Sequence, residues 1–130
     1  MSAAAQKRLD TTLSALADPT RRRVVDLLRV RPRRAGELVA AFDVSAPAIS
    51  RHLRLLRSGG LIEELRDPAD GRGRVYQLRP DRFEELANWL REVEEFWTDQ
   101  LDSFRDHVES QAQTKAQSAT RARGKRRQAK

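Results

Sequence analysis

The chain has no cysteine, two histidines, one methionine and few aromatic residues, 5% of its 130 positions. Without cysteine, disulfides and thiolate metal sites are excluded. His52 and His107 stand far apart, so the sequence holds no His-rich metal or catalytic cluster. No apolar run approaches the roughly 20 residues of a membrane-spanning helix, and the N-terminus lacks a signal-peptide apolar region. A glycine-rich phosphate loop and a nucleophile–base pair are also missing. These absences predict a cytoplasmic chain that is not an enzyme, needs no cofactor and meets no membrane.

What is present is charge, and it is unevenly spread. The formal net charge is +7. Residues 21–82 hold 15 arginines against 8 acidic residues, and residues 113–130 hold 7 lysines and arginines with no acid. Between them, residues 83–112 hold 9 acidic residues against Arg91 and Arg105. A basic middle carrying a candidate reading helix is the electrostatic footprint of a module that binds double-stranded DNA.

That helix is predicted within residues 44–62. Ser45 suits an N-cap, because its hydroxyl can accept from free backbone N–H groups of the first turn. Pro47 is tolerated in that turn, and Gly59 or Gly60 supplies the left-handed residue that closes the helix. Ile49, Leu53 and Leu56 form an apolar stripe. The opposite side carries Ala46, Ser50, Arg51, Arg54 and Arg57. Small residues let a helix enter the major groove closely, while Arg pairs with guanine edges or phosphates. A plain surface helix with solvated arginines is the competing reading.

The neighbouring segments weigh against that plainer reading. Helices are predicted over 1–17, with Leu9, Leu13 and Leu16 (plus Ala17) at helical spacing, and from Pro19 to Val30, with Val24, Val25, Leu27 and Leu28 inward. Arg21, Arg22 and Arg23 sit at the unfavourable end for the helix dipole, which makes an acidic partner plausible beside simple solvation. A short helix over 34–42 precedes the turn Asp43-Val44, where Val44 is expected to pack the two helices together. This order is a helix-turn-helix. Residues 61–66 and 75–79 then read as strands around a turn-rich loop. A hairpin placed there is a wing, with Arg72 and Arg74 reaching phosphates or the minor groove.

From Asp81 to about Ala112 no breaker occurs, and Phe83, Leu86, Leu90, Val93, Trp97, Leu101, Phe104 and Val108 step by three or four. A small domain cannot cover so long a stripe, so an intersubunit seam is expected. Residues 113–130 lack large apolar groups and read as a basic disordered tail. The tail either adds nonspecific DNA affinity or only solubilises. The domain boundaries are therefore 1–112 for binding and dimerisation and 113–130 for the tail. The expected fold is mostly α with a small β-hairpin, a winged helix-turn-helix in the order α-α-α-α-β-β-α.

Three stretches, residues 16–28, 45–62 and 71–76, make the chain resemble the ArsR family of winged-helix repressors over roughly residues 8–108. The resemblance implies a homodimer paired through its first and last helices, repressing from a pseudo-palindromic operator. The expected DNA contacts are Ser45, Ala46, Pro47, Ala48, Ser50, Arg51, His52, Arg54, Arg57, Arg72 and Arg74. The expected dimer contacts are Leu9, Leu13, Leu86, Leu90, Val93, Trp97, Leu101 and Phe104. Metal-sensing members carry a Cys-Val-Cys-type motif where this chain has Glu37-Leu38-Val39-Ala40. Other members ligate zinc on the last helix, which here offers His107 beside Asp106 and Glu109. The chain therefore looks like the members without metal ligands, its small-molecule inducer unknown. A nucleoid-type architectural protein and a metal-responsive repressor with an unrecognised site are the alternatives.

Overall fold

The computed structural model describes residues 1–69, 71 and 73–128, with side chains as far as Ala122. Its elements are α1 (Ala3–Leu16), α2 (Pro19–Val30), β1 (Arg33–Arg34), α3 (Ala35–Ala41), α4 (Ala46–Ser58), β2 (Ile62–Arg66), β3 (Arg74–Leu78) and α5 (Pro80–Gln128). They fall into two units, Met1–Asn88 and Trp89–Lys130.

In the first unit, α1 starts where Ser2 Oγ accepts from the Ala5 N–H at 3.1 Å. Its buried positions are Leu9, Thr12 and Ala15. Leu13, an expected dimer contact, is 40% exposed on its own chain. Thr12 takes the inner place because its hydroxyl donates to the Arg8 carbonyl at 3.0 Å, which removes the penalty of burying it. Asp18 caps α2 by accepting from the Arg21 N–H at 3.0 Å, and Pro19 opens the first turn.

Two of the three clustered arginines have a local use. Arg21 Nε donates to the Ala15 carbonyl at 2.6 Å, and Arg22 Nη1 donates to Leu16 and Ala17 at 2.8 and 3.0 Å. They satisfy carbonyls that a helix end leaves without partners, so at these sites the dipole cost on α2 is set against a cap on α1. Arg23 instead lies over the Phe42 ring, 5.0 Å from its centroid.

Val24, Leu28, Leu38, Ile49, Leu53, Leu56, Leu61 and Ile62 form one core with Ala15 and Phe42. Phe83, in the first turns of α5, packs against it. The hairpin is larger than expected. Arg33 and Arg34 pair antiparallel with Tyr76 and Val75, making a three-stranded sheet in the order β1-β3-β2. The β2–β3 register sets Ile62 opposite Leu78, Glu64 opposite Tyr76 and Arg66 opposite Arg74. Val44 does not pack the two reading-module helices as expected, being 42% exposed. The buried core cluster takes Leu38, Ile49 and Leu53 from these two helices instead.

The second unit is the remainder of α5. Helix continues to Gln128, where composition alone suggests a disordered tail. The segment lacks proline and is rich in Ala, Gln, Lys and Arg, all strong helix formers. Helical propensity therefore prevails over the absence of packing residues. Residues 129 and 130 lie outside the described chain.

Candidate nucleic-acid interface

The reading helix α4 is fixed at both ends by local chemistry. Ser45 Oγ accepts from the Ala48 N–H at 3.2 Å. At the other end, Gly60 at φ 78° donates to the Arg57 carbonyl and Leu61 to the Leu56 carbonyl, each at 3.0 Å. This pair of bonds is a Schellman closure, which only glycine adopts without strain. Ile49, Leu53 and Leu56 are buried below. Ser45, Ala46, Pro47, Ser50, Arg51, Arg54 and Arg57 are exposed, with Ala48 half-buried at the margin. No ion pair among the described residues holds Arg51 or Arg54.

His52 departs from this face. Its side chain is 19% exposed, and Nδ1 lies 3.3 Å from Arg21 Nη1 and 3.9 Å from Asp18 Oδ2. Position 52 follows Ile49 by three residues and so borders the apolar underside rather than the outer face. Arg72 lies outside the described residues. Arg74, 60% exposed at the start of β3, pairs with Glu64.

Two acidic residues that the sequence reading passed over organise the wing. Glu64 pairs with both Arg57 and Arg74. Asp67 pairs with Arg34 while 9% of its side chain is exposed. Its Oδ1 also accepts from Ala69 N–H, and its own N–H donates to Gly73, both at 2.9 Å. The Asp67-Pro68 pair is a turn signal in sequence, but its link to Arg34 is a contact between distant segments that no local pattern shows. A groove of about 200 Å³ between α3, α4 and β3 is lined by Val39, Ile49, Ser50, Arg54, Arg57 and Tyr76. Burial, helped by the Glu64 carboxylate, raises the Tyr76 phenol pKa above its ordinary value, so the phenol stays a neutral donor there.

The expected dimer residues separate into three states. Leu9 is 8% exposed within its own chain, so it offers a seam nothing. Leu86 and Val93 are half-buried. Leu13, Leu90, Trp97, Leu101 and Phe104 are exposed, Trp97 by 58% and Phe104 by 67%. Phe96 and Trp97 meet edge to face at 5.9 Å. Among the described residues, no group of three or more His, Asp or Glu side chains is placed to hold a metal ion. No helix among them is long and apolar enough to cross a membrane.

Residues 18–64 match the family described as "Bacterial regulatory protein, arsR family". The chain is 37% identical over 102 residues to the HTH-type transcriptional regulator Rv2034 of Mycobacterium tuberculosis, covering 78% of this chain and 90% of that protein. The chain belongs to the arsR family. A second relative, the transcriptional repressor SdpR of Bacillus subtilis, is 32% identical over 82 residues, 63% of this chain and 88% of its own. Among solved structures, an ArsR-like transcriptional regulator from Rhodococcus sp. RHA1 superposes with a TM-score of 0.69 at 26% identity. It covers 85% of this chain and 98% of that one. This arsR-family chain is a DNA-binding transcriptional regulator with a winged helix-turn-helix fold and a long last helix.

Proposed function

We propose that this regulator acts in the cytoplasm as a homodimeric repressor. It binds a pseudo-palindromic operator with one reading helix and one wing per subunit. The observation that carries the reading is the outer face of α4. Ser50, Arg51 and Arg54 are exposed together above Ile49 and Leu53, which anchor the helix in the core. A face so fixed can present arginines to base edges in one register. SdpR is named a transcriptional repressor, which supports repression as the outcome of binding. The exposed stripe through Trp97, Leu101 and Phe104 supports a second copy as partner, since monomers rarely leave so contiguous an apolar face in water. The basic residues of 113–130 add phosphate contacts without reading sequence.

The test is selection of duplexes from a random pool, followed by titration of the selected and unselected DNA. Arg51→Ala is expected to cost about 1–3 kcal/mol on the selected duplex and little on the unselected pool. Equal losses on both would make Arg51 a phosphate clamp. Failure of the wild-type chain to enrich any sequence would favour an architectural DNA-binding protein instead.

A further inference from the structure

Glu64 touches both elements assigned to DNA. It lies on β2 with 14% of its side chain exposed. Its Oε2 accepts from Nη1 of Arg57, in the last turn of α4. Its Oε1 pairs with Nε of Arg74, at the start of β3, at 3.4 Å. The guanidinium-bearing side chains are 51% and 60% exposed. Each offers Glu64 one nitrogen, which leaves its other donors available to a ligand. The backbone register adds a constraint, because Glu64 faces Tyr76 and stands diagonal to Arg74 across the β2–β3 ladder.

We infer that Glu64 is a positioning residue for sequence discrimination, holding Arg57 of the reading helix and Arg74 of the wing strand at one spacing. The inference rests on the sequence-specific reading proposed above. Phosphate contacts carry no base information, but they set where a reading helix sits on the duplex. Two phosphate-seeking arginines held at a fixed spacing engage the backbone together only in a narrow range of registers. Freed from their shared carboxylate, they reach phosphates in many registers, and the triad's charge rises from +1 to +2. Glu64 therefore restrains binding to DNA in the wrong register more than it limits binding to the preferred site.

The experiment titrates Glu64→Gln against a duplex selected on the wild-type chain and against the unselected pool, across a salt series. Affinity for the unselected pool should rise, its log–log salt slope steepening by about 0.9 for each phosphate newly engaged. The selected-to-unselected ratio should fall about tenfold. In an Arg57→Gln/Arg74→Gln background the same change should leave the ratio unaltered, because nothing remains to be positioned. Should Glu64→Gln fail to fold, Arg57→Lys with Arg74→Lys keeps the charge and Glu64 but loses the planar fork. That pair should lower the ratio in the same direction. Equal factors on both DNAs, or a ratio change that persists without the two arginines, would overturn the inference. A wild-type chain with no preference for its selected duplex would overturn the sequence-specific reading as well.

Discussion

Residues 1–88 and the α5 segment from Trp89 onward handle apolar side chains in opposite ways. In the first, Val24, Leu38, Ile49, Leu56 and Leu61 are fully buried within one chain. In the second, Phe96, Trp97, Leu101 and Phe104 are each more than half exposed. The first is a core complete in itself. The second is an apolar surface that its own helix leaves exposed. Under the proposed dimer, the contrast ties stability to one region and assembly to the other.

Substitution in the second region should break assembly without touching the core. Trp97→Asp with Leu101→Asp would place two carboxylates in the proposed seam, costing several kcal/mol if both are buried there. Sedimentation should show monomers whose thermal unfolding still reports a folded 1–88 unit. A dimer of unchanged affinity would move the seam elsewhere.

The reverse substitution sharpens the contrast. Leu56→Ala removes a fully buried side chain from beneath the reading helix and should cost about 2–5 kcal/mol. Thermal or denaturant unfolding would read that loss. Because α4 keeps its caps, the surviving folded fraction should still distinguish selected from random DNA. A loss of discrimination at full folding would show that packing under α4 sets its register as well as its stability.

The smallest expected effect lies at the joint between α1 and α2. The Arg21 backbone N–H that Asp18 caps holds its carboxyl below the ordinary value of 3.8, despite the opposing effect of burial, and His52 and Arg21 add to the lowering. A depressed folded pKa means the contribution is present above the unfolded value and is lost as pH falls through the folded one. Asp18→Ala should cost about 1 kcal/mol near neutral pH, the usual worth of an N-cap. Asp18→Asn should keep most of the cap yet flatten the acid limb of stability below about pH 4. An acid limb identical to wild type in Asp18→Asn would assign that pH dependence to other carboxylates.

How much of this was legible in sequence depends on the range of the interactions involved. Ser45, Pro47 and Gly60 sit within or beside the helix they delimit, so the limits of α4 and its two faces could be read directly. So could the ArsR resemblance that those residues carry. The two-residue strand β1 could not, because Arg33 and Arg34 become a strand only by pairing with Val75 and Tyr76. Thr12 could not be read as a core position, because its hydroxyl is satisfied only once the helix's own Arg8 carbonyl accepts from it. His52 stands among charged neighbours in sequence, although its spacing from Ile49 sets it beside the core. Beyond residue 112 the composition shows no packing residues, yet Ala, Gln, Lys and Arg outnumber Thr114, Ser118, Thr120 and Gly124 along the helix. Glu64 and Asp67 looked like ordinary wing acids until the fold brought Arg57, Arg74 and Arg34 to them.

Asp67 also separates two evolutionary freedoms. Its N–H bond to Gly73 and its pairing with Arg34 close the base of the wing. Added or altered residues above that closure leave the β2–β3 register intact. Doubling a loop's length costs only about 0.6 kcal/mol in closure entropy. The reach and charge of the wing tip can therefore drift between lineages, or be redesigned, while the reading helix stays as it is. Under the proposed function, one appendage can be retuned to new DNA flanks without re-evolving the element that reads the bases.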